Sequence, residues 1–162
     1  MSRLLRDGEY VIFHNNIFYP SGKKSPTEGM IYIISENRYD LRNGFMPINV
    51  EYNKKYGYFQ CQKEVPKSEI TEAYEIRTHA KYKGVSASIM GSLKPGCIRL
   101  ATTCLYWLGE DKDEFLKNAT NAGFEYTDTE QGGYEIYEKE VSLDDPDLEL
   151  IEERTEIDIS KL

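Results

Sequence analysis

GYFQCQKEVPKSEITEAYEIRTHAKYKG, residues 57–84, decides the fold, because much of it is said again at residues 133–159, GYEIYEKEVSLDDPDLELIEERTEIDI. Both stretches open on Gly-Tyr, carry Lys-Glu-Val and close on an acidic residue before Arg-Thr. Outward from this pair, IYIISE (31–36) lies over LYWLGE (105–110), and Asn43, Gly44 and Phe45 lie over Ala122, Gly123 and Phe124. Turns at Asn15 and Asn16 and at Lys83 and Gly84 also correspond. Each half then reads as hairpin, strand, helix or helical turn, strand, strand. The expected fold is α+β and predominantly antiparallel β, built from two tandem repeats of about 75 residues. They cover 9–82 and 83–159 and are fused into one domain over 1–162.

Hydrophobic periodicity supplies the individual elements. Over 73–82, Tyr74, Ile76, Thr78, Ala80 and Tyr82 fall on one face, and Glu75, Arg77, His79 and Lys81 on the other. That alternation predicts a long strand. MIYIIS (30–35) is nearly all apolar, as in a central strand buried on both sides. Further strands are expected at 47–52, 58–65, 124–128 and 132–141, with one bent strand or two pieces over 97–108. Residues 20–29, with two prolines and two glycines, read as a loop, and 1–8 as a frayed start. The clear helix is 111–122: Asp111 can cap it, Glu114 follows three residues on, and Phe115, Leu116, Ala119 and Ala122 form its apolar stripe. After a break at DDPD, an acidic strand is expected to run to Ile159.

The chain of 162 residues is 40% hydrophobic, enough to bury a core. Its net charge of −8 is uneven: residues 1–80 hold 11 Lys/Arg and 10 Asp/Glu, and residues 81–162 hold 9 and 18. An acidic half steers a basic partner into contact and disfavours nucleic acid. No apolar run is long enough for a signal peptide or a membrane span. Three cysteines, Cys61, Cys97 and Cys104, read as free thiols of a reducing cytoplasm.

Chemistry-bearing patterns are few. GxSxG, HExxH, GxGxxG and the phosphate-cradling GxxxxGK[ST] are all absent, and only His14 and His79 could serve as imidazole bases. Cys97 and Cys104 are seven apart on a strand-like run, which puts them on opposite faces and makes poor zinc geometry. The expectation is therefore no enzyme, no metal and no cofactor. The most distinctive polar feature is the acidic run Asp144, Asp145, Asp147, Glu149, Glu152, Glu153, Glu156 and Asp158. It reads either as a solvated edge strand guarded by charge or as a docking surface for a basic protein. Arg77, His79 and Tyr82 on the long strand are the other candidate contacts, since Arg and Tyr are common hot-spot residues. Trp107, inside LYWLG, reads as core.

A small, acidic, Tyr-rich α+β chain with the hairpin YEIRTHAKYKG (74–84) resembles immunity proteins of bacterial polymorphic-toxin systems of the contact-dependent inhibition type. The resemblance implies a protein that neutralises a cognate toxin domain by binding it, and it carries no functional residue with it. The expected function is thus non-catalytic protein binding, occluding a basic toxin domain through the acidic carboxyl-terminal half. The alternative is a small-ligand or regulatory module with a Tyr-lined pocket between the repeats.

Overall fold

The computed structural model describes residues 6–92, 94–130 and 133–162. Residues 1–5 of the expected frayed start, and Gly132 at the head of an expected strand, lie outside them. In chain order the elements are β1 (Gly8–Phe13), β2 (Asn16–Lys24), β3 (Met30–Ser35), β4 (Met46–Pro47), α1 (Val50–Tyr56), β5 (Cys61–Pro66) and β6 (Ile70–Tyr82). Then come β7 (Val85–Met90), β8 (Cys97–Thr102), α2 (Lys112–Asn121), β9 (Glu125–Thr129), β10 (Glu135–Ser142) and β11 (Leu148–Glu156). Short 3-10 turns occupy Arg38–Asn43, Lys67–Glu69, Tyr106–Leu108 and Ile159–Lys161. The fold is α+β and mostly antiparallel β, as expected.

The chain divides into two compact units, one of Asp7–Ile76 with Arg154–Leu162, the other of Arg77–Glu153 with Arg6. The seams fall inside β6 and β11, not at the hairpin turn after β6. In the first unit the strand order is β4-β5-β3-β2-β1-β6. Val11, Phe13, Phe18, Ile31, Ile33, Phe45, Cys61 and Val65 fill its main core, and Tyr10, Tyr74 and Ile76 form a smaller cluster. In the second the order is β6-β7-β8-β10-β9, and α2 sets Phe115, Ala119 and Ala122 among Ala80, Tyr82, Ile98, Leu100, Phe124 and Val141. β11 pairs with β6.

Both hairpins turn through two residues of positive φ, the geometry that matches the twist of the flanking strands. In the second these are Lys83 and Gly84, as expected (φ 48° and 83°). In the first they are His14 and Asn15 (φ 47° and 64°), one position earlier than expected, because Phe13 pairs with Asn16. Helix α2 begins as its sequence dictates, with Asp111 Oδ1 accepting the Glu114 backbone N–H at 2.8 Å.

Five expectations need correction. Only Met46 and Pro47 pair as a strand; the rest of 47–52 turns into α1 after Asn49 takes a left-handed conformation, and buried Asn53 holds the turn by donating to the Ile48 carbonyl at 3.1 Å. The expected loop 20–29 begins as β2, which bulges after Pro20 and rejoins β3 at Lys24. β3 alternates between buried and half-buried positions, so it is shielded fully on one side only. Over 97–108 the strand stops at Thr102 and 106–108 is helical, so IYIISE over LYWLGE does not match like with like. The acidic strand ends at Glu156, and Ile159 opens a helical turn.

One local arrangement occurs in both units. Lys63 on β5 donates to the Asn43 carbonyl at 2.9 Å, passes over Gly44 (φ 86°), and lies 5.7 and 6.0 Å from the ring centres of Phe13 and Phe45. Lys139 on β10 passes over Gly123 (φ 90°), 3.0 Å from where a Cβ would stand, and lies 5.8 Å from the Tyr82 ring centre. Gly123→Ala combines a disfavoured backbone region with displacement of Lys139. It is expected to cost about 1–2 kcal/mol in chemical denaturation. Gly91→Ala, whose Cβ meets nothing within 4 Å, serves as the near-neutral control; equal losses would contradict the brace. Phe124→Ala, a buried ring in the same place, is expected to cost about 3–5 kcal/mol.

Candidate partner-binding surface

The acidic run is largely occupied within the protein. Glu152 accepts a two-point hydrogen bond from Arg6, at 2.6 and 3.2 Å. Arg154 bridges Glu156 and Glu72 at 2.9 Å each while its guanidinium sits 3.8 Å from the Tyr74 ring centre. Glu153 lies 4.0 Å from His79 Nδ1. Asp158 Oδ1 accepts both the N–H and the hydroxyl of Ser160. Asp145 accepts the Tyr82 hydroxyl at 3.1 Å and the Asp147 N–H at 2.9 Å. Asp144, Asp147 and Glu149 remain as exposed side chains on this stretch.

Of the three candidates on the long strand, Arg77 is exposed and His79 half-buried. Tyr82 is buried in the core, so its ring offers no contact to a partner. Burial first, and then the bond to Asp145, pushes its hydroxyl pKa up. His14 pairs with Glu69 at 2.9 Å and stacks on Phe13. Cys61 and Cys104 are buried and Cys97 partly so, all three as free thiols. Burial pushes the Cys61 and Cys104 thiols up, with help from Asp40 at the first and Glu110 at the second. Among the described residues no group of three His, Cys, Asp or Glu side chains is placed to hold a metal ion. No helix among them is long and apolar enough to cross a membrane.

The surface that sequence reasoning missed is at 105–108. Trp107, expected in the core, is 49% exposed, and Leu105, Tyr106 and Leu108 stand out beside it. The turn that presents them is pinned: Glu110 Oε2 accepts the Leu105 N–H at 2.7 Å, Leu108 donates back to the Leu105 carbonyl, and Gly109 closes at φ 90°. Trp107 packs against Tyr134 at 4.8 Å between ring centres, with Tyr106 edge-on at 5.2 Å. A cavity of about 30 Å³, lined by Cys104, Tyr106, Phe115, Tyr134 and Tyr137, lies beside it. That volume has room for a water, not a ligand. The signal is in the sequence: four consecutive apolar residues closed by a glycine cannot all face one side of a strand or of a helical turn, so some must stand outside.

The first unit has its own exposed aromatics. Tyr52 and Tyr56 stand one helical turn apart on α1, 4.7 Å between ring centres, with Tyr39 and Tyr58 also exposed. A groove of about 520 Å³ is lined by Tyr52, Tyr58, Phe59 and Gln60 within that unit.

These features define a mostly antiparallel α+β protein whose distinctive surfaces are aromatic, with its carboxylates turned largely to internal pairing. Residues 5–160 match the family described as uncharacterised conserved protein UCP033725, and the chain belongs to that family. No curated protein and no solved structure matches it.

Two measurements follow from the ionisable groups. Hydrogen bonds from Arg6 to Glu152, from Ser92 and Lys94 to Glu140, and from Ser160 to Asp158 hold these carboxyls below their ordinary values of 4.5 for Glu and 3.8 for Asp. A carboxyl lowered on folding stabilises above its unfolded pKa and loses that contribution as pH falls through the folded one. The thermal midpoint is expected to decline below pH 4.5, and Glu152→Gln to make the decline shallower. For the thiols, alkylation of the native protein at neutral pH is expected to spare Cys61 and Cys104, with all three modified in denaturant.

Proposed function

We propose that this chain is a non-catalytic protein-binding protein that holds a basic partner against the surface centred on Trp107. The observation that carries this reading is four consecutive exposed apolar side chains at 105–108, followed by Glu110, Asp111, Asp113 and Glu114. Residues 77–153 hold 16 Asp/Glu against 8 Lys/Arg, so the patch sits in an acidic field. Trp and Tyr bury much area for few lost rotations and dominate interface energetics. Tyr134 and the Glu110 clasp hold the turn before any partner arrives, which lowers the entropy cost of docking. The carboxylates that follow supply a polar rim and long-range steering toward a basic surface.

This arrangement suits an immunity protein of a polymorphic-toxin system, acting in the cytoplasm by occluding a basic toxin domain. Aromatic anchors give the affinity, and charge gives the approach. Asp144, Asp147 and Glu149 add to the field, while Glu152 and Glu153 contribute through it despite their internal partners.

The same reading takes the two units as copies of one ancestral unit. Its support is the shared order of hairpin, strand, helix and strands, and the lysine that crosses a left-handed glycine next to Phe45 or Phe124. The seams between units also fall inside the matching tetrapeptides Glu75-Ile76-Arg77-Thr78 and Glu152-Glu153-Arg154-Thr155.

Calorimetric titration against a toxin domain encoded by a neighbouring gene, if the neighbourhood holds one, tests the proposal. Tight binding is expected, weakened at least about 30-fold by Trp107→Ala, the effect of a hot spot worth about 2 kcal/mol. Asp113→Asn with Glu114→Gln is expected to slow association and reduce its salt dependence, with the fold checked by circular dichroism. Tight binding indifferent to Trp107→Ala would overturn the site. Absence of binding, with no protection of cells making the toxin domain, would overturn the immunity role.

A further inference from the structure

We infer that the unit of residues 7–76 and 154–162 contains a binding site for a phosphate-bearing small molecule of nucleotide size, in the cleft between the bulge of β2 and the carboxyl-terminal turn. The cleft has a volume of about 590 Å³, within the usual range for small-molecule sites. Its shape has a backbone cause. Pro20 pairs with Ile33 but the next pair is Lys24 with Ile31, so residues 21–23 bow away from the ladder. The 3-10 turn Ile159–Lys161 forms the facing wall.

Four lysines line this cleft: Lys23 and Lys24 from the bulge, Lys67 after β5, and Lys161 from the turn. Lys67 is held in place by donating to the Ser160 carbonyl at 3.4 Å. Elsewhere Arg6, Lys94, Arg99 and Arg154 each have a carboxylate within reach. Among the described residues Lys94 alone of the lysines has such a pairing, so the mark of these four is their gathering on one cleft. Ser21 and Thr27 add hydroxyls suited to phosphate oxygens.

The rest of the lining sets the ligand class. Pro20, Met30 and Leu162 add apolar lining that suits the organic part of a nucleotide more than a bare inorganic ion. Glu9 and Glu28 also line the cleft, leaving its side chains at net +2. The carboxylates oppose a weakly charged anion and leave the amines most effective against a ligand with two or more phosphates. The site is an electrostatic cradle of flexible lysines, which act as point charges and do not impose a bidentate geometry.

Calorimetry on the full chain in magnesium-free buffer of low ionic strength, with adenosine, AMP, ADP, ATP and tripolyphosphate as probes, tests this. Affinity is expected to rise with phosphate number, adenosine giving no heat and ATP exceeding tripolyphosphate. Lys23→Ala with Lys24→Ala should weaken ATP by about tenfold or more. Lys54→Ala with Lys55→Ala removes the same charge from α1 and should leave ATP binding unchanged. Circular dichroism on both doubles checks the fold, which these exposed side chains do not support. No heat from ATP or tripolyphosphate at millimolar concentration, or equal losses in the two doubles, would overturn the site. Tripolyphosphate binding as tightly as ATP would overturn the nucleotide-sized ligand.

Discussion

One long strand, β6, supplies side chains to the cores of both units from different parts of its length, and the rest of the structure depends on it more than on any other element. It has 13 residues, and its even-numbered positions 74, 76, 80 and 82 are buried in succession. Tyr74 and Ile76 join the small cluster of the first unit, and Ala80 and Tyr82 the core of the second. Ala73 points the other way, into the main core of the first unit, and Ile70 joins it there. Strict alternation would put Ile70 with Tyr74. A bulge resolves the conflict: opposite β6, Ile12 pairs with Glu72 and Phe13 with Ile70, leaving Thr71 unpaired and turning Ile70 to the face of Ala73.

Within each unit the second constraint is the close passage of a lysine over a glycine. Lys63 and Lys139 lay their methylene chains across Gly44 and Gly123 and set their amines near aromatic faces. Apolar stem and charged tip are both used, as amphipathic side chains allow. The next residue in each case, Phe45 or Phe124, is buried and packs against an aromatic of the preceding hairpin, Phe18 or Tyr82. A Cβ on Gly123 would stand 3.0 Å from the Lys139 amine and displace it, whereas one on Gly44 would meet Lys63 at an ordinary 3.5 Å; both glycines hold a left-handed backbone that other residues rarely adopt.

Periodic and local features were legible in the sequence; partners distant along the chain were not. The alternation of 73–82, the capped helix after Asp111 and the turn at Lys83 and Gly84 all follow from short-range rules. Helix α1 escaped because its seven residues show one apolar face only through Tyr52 and Tyr56, whose rings remain outside. The acidic run was legible as composition but not as wiring: Arg6 reaches Glu152 across 146 positions and Arg154 reaches Glu72 across 82. Trp107 reads as core because tryptophan is highly buried on average, whereas here its ring leans on Tyr134 and leaves half its surface free.

The return of β11 to the first unit bears on how the protein is made. Ile157, Ile159 and Leu162 pack against the main core of residues 7–76, and the Ile157 N–H donates to the Ala73 carbonyl at 2.9 Å. A chain emerging from the ribosome displays that core long before these residues exist, so the unit translated first is the one completed last. The second unit, with its helix and contiguous strands, has nearly all of its parts by residue 153. Folding during synthesis therefore runs out of step with the order of translation, and residues 154–162 act as the closing stitch.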